Sequence, residues 1–330
     1  MNLIEQSGGS IHWLEPEPGI RLRTACWPEG IQGTVLILNG RTEYIEKYLE
    51  TIAALQSRGL AVWTLDWRGQ GLSTRLLPDP SLNHIESFET YLSDLDCLLD
   101  TSILPTIHQP LFLLAHSMGG HLGARLLARR PTLIARAILT APMIAFRSAI
   151  PRPIARALIQ LVNLSPGQSV RHGPGTPRLP LLDGPFATNP LTTCPDRYAT
   201  LISQLRASPA LQLGGATWGW LRAASASIAH LQRPGTISRI ATPLLIATAG
   251  EEHFVDNRAT ARFAARLTNA EVLHIPEARH ELLREQDRYR VELWTAIDEF
   301  LARTSHLPFK QGAKVGAGRQ RTSQTEPANR

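Results

Sequence analysis

The chain of 330 residues is 43% apolar, 19% charged and 6% aromatic, long enough to bury one large core or two modest ones and too apolar to stay unfolded. Its three cysteines, Cys26, Cys97 and Cys194, contain no CxxC pair, which excludes a disulfide framework or a cysteine zinc site and suits a reducing compartment. The net charge of +6 is no nucleic-acid footprint, because residues 303–330 hold six basic residues against one acidic and leave about +1 on everything before them.

The amino terminus lacks a basic segment followed by an apolar one, and no apolar run is long enough to span a bilayer. The sequence therefore predicts neither a cleaved secretion signal nor a membrane span, and cytoplasmic residence is the expectation. Residues 10–27, broken by Pro16 and Pro18, read as an antiparallel hairpin at a sheet edge. A β-branched apolar run at 34–38 reads as a buried strand and 44–56 as an amphipathic helix. Next come a strand at 61–65 and a helix at 85–99. Strand 111–115 runs into helix 118–128 through a turn of small residues, and 137–140 is the following strand. The alternation returns later, with buried strands at 244–248 and 271–275 and helices at 257–267 and 287–302. This pattern specifies an α/β fold, a mostly parallel central sheet with helices on both faces.

The rhythm stops between Pro142 and Pro243, where about a hundred residues rich in Pro and Gly separate two strands that should be neighbours. An inserted subdomain at 143–238 is expected, dividing the core into 1–142 and 239–303. Residues 146–182 hold Arg147, Arg152, Arg156, Arg171 and Arg178 with no acid, amid apolar clusters such as 157–162. Such a segment suits an amphipathic lid in peripheral contact with an anionic membrane. The plainer reading, which the sequence slightly favours, is a solvated arginine face on ordinary helices. Residues 304–330 are polar and aperiodic and read as a disordered basic tail.

Chemistry concentrates in LFLLAHSMGG at 111–120, a buried strand entering a helix through Ser117, which is the setting of a nucleophile elbow. Small residues are required two before and two after the serine, because strand and helix backbones nearly touch there. Gly119 meets the second requirement, and Ala115 stands at the first, where glycine is usual. A serine hydroxyl is a poor nucleophile near neutral pH unless an imidazole, itself oriented by a carboxylate, lies within reach. His280 fits as the base, in a loop just past an apolar strand and before a helix. His116 and His121 flank the serine on its own element, His253 follows the wrong strand and His274 lies inside a strand pattern, so each reads as structural. After strand 244–248, Glu251, Glu252 and Asp256 compete for the role of acid. Glu252 is best placed, Asp256 suits a helix N-cap but stays the alternative, and Glu251 is the weakest. Two backbone amides should face the developing oxyanion. They are those of Met118, after the nucleophile, and Arg41, in the loop 39–43 where Gly40 permits the turn.

No metal or organic cofactor is expected. His116 and His121, five residues apart on either side of the serine, point in different directions, do not converge on a metal and have no third ligand. DWRGQGLS at 66–73 lacks the third glycine of a dinucleotide loop, so Asp66 and Arg68 read as polar residues that order the turn.

Together NGRTEYIEKY (39–48), DWRGQGLS (66–73), AHSMGG (115–120), NPLTTCPDRYA (189–199), TWGWL (217–221), EEHFVDNR (251–258) and ARHELLRE (278–285) resemble an α/β-hydrolase of the monoacylglycerol lipase and bacterial lysophospholipase family, of the inner-membrane type. The resemblance spans nearly the whole chain before the tail. It implies an α/β-hydrolase fold in which 143–238 form a helical cap over an acyl-binding pocket, with Trp218 and Trp220 in or near its wall. It also implies Ser117 as nucleophile, His280 as base, Glu252 as acid and the amides of Arg41 and Met118 as the oxyanion hole. The acid in much of the family is Asp, which keeps Asp256 open, and the usual His-Gly of the oxyanion strand is Asn39-Gly40 here. The implied reaction is cleavage of carboxylic esters of lysophospholipids or monoacylglycerols through an acyl-enzyme on Ser117, with a small-molecule lipid as the partner. Two rivals stand beside it. One is a soluble esterase, acyltransferase or peptidase acting on a short-chain substrate; the other is a binding protein without catalysis, suggested by Ala115 and Asn39.

Overall fold

The computed structural model describes residues 2–148, 150–173 and 184–303. The tail expected at 304–330, and Arg178, lie outside the described residues.

Each apolar run is short because it crosses one sheet once. The strands are β1 (Ser10–Glu17), β2 (Ile20–Trp27), β3 (Thr34–Leu38), β4 (Ala61–Leu65), β5 (Leu111–His116), β6 (Arg136–Thr140), β7 (Leu244–Ala249) and β8 (Ala270–Ile275). They form one sheet in the order β1-β2-β4-β3-β5-β6-β7-β8. The hairpin β1–β2 and the pair β2–β4 are antiparallel, and every other neighbouring pair is parallel. The helices are α1 (Leu3–Gln6), α2 (Leu49–Gln56), α3 (Phe88–Leu98), α4 (Met118–Arg129), α5 (Arg152–Asn163), α6 (Pro195–Ala207), α7 (Trp218–Leu231), α8 (Pro234–Ile237), α9 (Asn257–Ala264) and α10 (Asp287–Ala302).

Successive side chains of a strand point to opposite faces, so a strand apolar throughout must be covered twice. Leu36 and Leu38 of β3 join a core with residues of α3, α4, α7 and α9. Val35 and Ile37 join a second core with residues of α2 and α10 on the other face.

Three expectations need correction. The helix expected at 44–56 opens as a 3-10 turn, Ile45–Tyr48, before α2 begins. The helix expected at 85–99 starts at Phe88, where the Ser87 hydroxyl accepts the Glu89 amide as an N-cap. The last strand is not buried: β8 is the sheet edge, Val272 is 51% exposed, and only Ile275 of the strand is buried.

β6 and β7 are parallel neighbours although about a hundred residues separate them. Helices α5 to α8 fill the interval. They are not equally detached, because Trp220, Ala223, Ala224 and Leu231 of α7 enter the same core as α3 and α4.

Candidate active site

Ser117 sits between β5 and α4 with φ 52° and ψ −113°, a conformation costly for any residue with a side chain. Three hydrogen bonds hold the turn: Ser117 N–H donates to the Thr140 carbonyl at 3.0 Å, while the Ser117 carbonyl accepts from His121 at 3.0 Å and Met143 at 2.9 Å. A Cβ on Gly119 would stand 2.1 Å from the Leu38 carbonyl oxygen, so no larger residue fits there. Ala115 is accommodated because Gly123 of α4 faces it, where a Cβ would lie 3.3 Å from the alanine methyl. The elbow therefore has its small residues, distributed differently.

His280 Nε2 lies 3.0 Å from Ser117 Oγ, and His280 Nδ1 lies 2.7 Å from Glu252 Oε2. The other oxygen of Glu252 accepts the amides of Phe254 at 2.7 Å and Val255 at 3.2 Å, so the carboxylate is aimed by its own loop. Burial opposes ionisation of Glu252, yet His280 and these two amides outweigh it and hold the carboxyl below its ordinary range. The structure brings these three side chains into one hydrogen-bonded chain. It places Asp256 elsewhere, as the N-cap of α9, accepting the Ala259 amide at 3.0 Å. Glu251 pairs with Arg279 at 3.3 Å near the surface.

His116 packs its ring 4.8 Å from that of His280 and bonds the Thr140 carbonyl and hydroxyl. Burial drives its pKa down to about 4, and that of His121, bonded to Ser227 at 2.7 Å, down to about 3. Both are neutral spacers at ordinary pH. His253 and His274 are exposed.

The loop after β3 is pinned from several sides. Asn39 donates to the Leu65 carbonyl at 3.0 Å and accepts from the Trp67 indole at 2.9 Å through its own carbonyl. Thr42 takes a left-handed φ of 64°, and its amide donates to Gln70 Oε1 at 2.6 Å. The Gly40 amide is taken by the Glu43 carboxylate. Among the described residues the amides of Arg41 and Met118 donate to nothing. Asp66 orders the neighbouring turn by accepting from Arg23, Ile45 and Leu72, and Arg68 is paired with Asp94 at 2.6 Å.

A buried network beneath this loop escapes a reading of the sequence. Glu43 accepts from Lys47 Nζ at 2.6 Å and from the Tyr48 hydroxyl at 2.6 Å, and Lys47 reaches Glu281 at 2.5 Å. Arg284 approaches Glu281 at 3.7 Å. Burial opposes the Glu43 charge, but Lys47 and its hydrogen bonds bring its pKa down to about 2. The network ties the loop after β3 to the residue that follows His280. Its one sequence signal is a Glu-Lys pair at i, i+4, which ordinarily marks a solvated helix face.

Gly40, Arg41, Ser117 and His280 line a cavity of about 270 Å³ whose apolar wall includes Leu201, Leu205, Leu213, Phe146 and Trp220. Trp218, two residues from Trp220 on the same helix, does not line it, since that spacing turns the two rings to different faces.

Residues 29–287 match the family described as "Serine aminopeptidase, S33" (Hydrolase_4). The chain belongs to this α/β-hydrolase family. Within it, lysophospholipase L2 of Escherichia coli strain K12 is 35% identical over 276 residues, covering 82% of this chain and 80% of that protein. A probable lysophospholipase L2 of Haemophilus influenzae is 30% identical over 292 residues, covering 88% and 87%. Among solved α/β-hydrolase structures, a soluble variant of monoglyceride lipase from Saccharomyces cerevisiae superposes with a TM-score of 0.68 at 17% identity, over 91% of this chain and 97% of that one. The monoacylglycerol lipase of Paleococcus ferrophilus gives 0.65 at 17%, over 86% and 99%. The chain is thus a serine hydrolase of the S33 and lysophospholipase group, and no helix among the described residues is long and apolar enough to cross a membrane.

Proposed function

We propose that the protein cleaves the carboxylic ester of lysophospholipids or monoacylglycerols by acylation and deacylation of Ser117. The observation that carries this reading is the unbroken chain from Ser117 Oγ through His280 to Glu252, at 3.0 and 2.7 Å, opening onto a largely apolar cavity. In the first half His280 Nε2 takes the serine proton as Oγ attacks the ester carbonyl, then passes it to the leaving alcohol. In the second half the same nitrogen activates water against the acyl-enzyme. Glu252 fixes the imidazole tautomer and stabilises its charged form. The amides of Arg41 and Met118, left without partners, are the donors for the oxyanion.

Residues 143–238 act as the cap over this cavity, and the acyl chain lies against its leucines. The outer face of α5 carries Ile154, Leu158 and Leu161 at 53%, 47% and 64% exposure, followed by Leu164 at 79%, with Arg156 also exposed. That mixture favours peripheral contact with an anionic bilayer over a merely solvated arginine face.

Fatty-acid release from lysophosphatidylethanolamine, from a monoacylglycerol and from a short-chain soluble ester, measured in parallel for the wild type and Ser117→Ala, tests the proposal. Activity on a long-chain lipid by the wild type alone supports it. Cleavage of the short ester without the lipids keeps Ser117 and removes the substrate.

A further inference from the structure

The cavity beside Ser117 contains a cation that the fold itself does not use. Arg41 lines the cavity, and its side chain makes no hydrogen bond or ion pair with any described residue. The residue is half-buried, its Nη1 is buried without a partner, the Trp220 ring centroid lies 5.5 Å from the guanidinium carbon, and Tyr91 is close enough to interact with it electrostatically. A ring face attracts a cation but leaves most of the five N–H donors of a guanidinium unsatisfied. The carboxylates around the cavity are already engaged. Glu43 and Glu281 answer Lys47, Glu281 also faces Arg284, and Glu252 answers His280. Burial draws the Arg41 pKa down to about 10, which still leaves it charged at neutral pH.

A buried charge without a counter-charge is expensive, and a binding site is where a protein keeps one. We infer that the Arg41 guanidinium receives the phosphate diester of the substrate head group, so that this site selects lysophospholipids over neutral acylglycerols. The inference rests on the ester-hydrolase reading above and narrows its substrate. Guanidinium is suited to the task because its planar fork presents parallel donors to two phosphate oxygens. In a lysophospholipid, a glycerol joins the scissile ester to the phosphate. One residue then serves both ends of that unit: the backbone amide of Arg41 meets the oxyanion, and its side chain meets the phosphate. A monoacylglycerol fills the acyl end equally well and leaves the guanidinium unanswered.

The experiment compares kcat/KM for lysophosphatidylethanolamine and for a monoacylglycerol of the same acyl chain, in the wild type, Arg41→Gln and Arg41→Lys. The readout is the ratio of the two substrates within each protein, which cancels any common loss from disturbing the loop that carries the amide. Arg41→Gln is expected to lower the ratio by about 100-fold, the scale of a charge-assisted pair, and Arg41→Lys to restore part of it. An unchanged ratio overturns the inference. A second arm needs no turnover: calorimetric binding of glycerophosphoethanolamine and of inorganic phosphate to Ser117→Ala protein, with and without Arg41→Gln. Binding of the diester that disappears with Arg41→Gln upholds the head-group site, even if the wild type cleaves no lysophospholipid and the hydrolase reading fails. Arg41-dependent binding of inorganic phosphate with none of the diester overturns it in favour of a free-anion site.

Discussion

The surroundings of Ser117 and the outer face of α5 are built on opposite plans. Around Ser117 most polar side chains are held within a few ångströms of a partner, as Glu252 is by His280 and Glu43 by Lys47, with the Arg41 guanidinium left open, and the backbone is strained at Ser117 and Thr42. On α5 the large side chains at 154, 158 and 161 face outward and are left about half exposed or more. The first plan suits chemistry, where groups must be held in place before the substrate arrives. The second suits adsorption, where apolar area left in water is what a bilayer gains by covering. The contrast predicts that damage near Ser117 appears in turnover and stability, and damage on α5 in partition to lipid.

The sharpest break is Ser117→Ala, expected to lower kcat by about 10⁴-fold or more, the range found when a triad nucleophile is removed from other serine hydrolases. Glu252→Gln should cost about 10³- to 10⁴-fold, because the imidazole loses the partner that sets its tautomer. Steady-state kinetics on a short-chain ester measure both; a loss appearing with Asp256→Asn instead would reassign the acid. Lys47→Met strands two buried carboxylates and should destabilise the fold by about 3–5 kcal/mol in denaturant titrations.

Acid sharpens the same point. Glu43 has a folded pKa of about 2 against an ordinary 4.5, so the stability it contributes is fully present above about 4.5 and drains away as the pH falls towards 2. Glu43→Gln should flatten that part of the stability profile followed by thermal unfolding. Smallest in stability is the double change Leu158→Glu with Leu161→Glu, expected within about 0.5 kcal/mol of the wild type because both residues are exposed. Co-sedimentation with anionic vesicles should nevertheless fall several-fold, and undiminished binding would show that α5 is not the contact.

Most of the sheet is legible in the sequence because interior parallel strands are covered on both faces and appear as unbroken apolar runs, such as Val35 to Leu38. The same cue misleads at 271–275, where an apolar composition at the sheet edge leaves Val272 half in water. At the site, Ser117, His280 and Glu252 can be nominated because the chemistry demands particular residue types just past strand ends. Glu43, Lys47 and Glu281 could not. Charged side chains are ordinarily read as solvated, and their burial depends on two loops 234 positions apart meeting, as Lys47 and Glu281 do. The unpartnered side chain of Arg41 is hidden for the same reason: an absent counter-charge is a property of the assembled cavity.

The place where the insertion leaves the sheet has a consequence for how such a chain can change. It departs after β6 and returns at β7, and those strands are hydrogen-bonded neighbours. The two ends are therefore already side by side, and doubling the length between them adds only about 0.6 kcal/mol of closure entropy. The part of the insertion around α5 can be lengthened, shortened or exchanged without disturbing the strands, whereas α6 is tied to the core through Arg197, which pairs with Glu50 and Asp287, and through Leu201 and Leu205, which pack with Tyr44. Helix α7 is moored as well, by Trp220 in the core. Evolution or an engineer can thus vary the segment around α5 while α6 and α7 stay fixed.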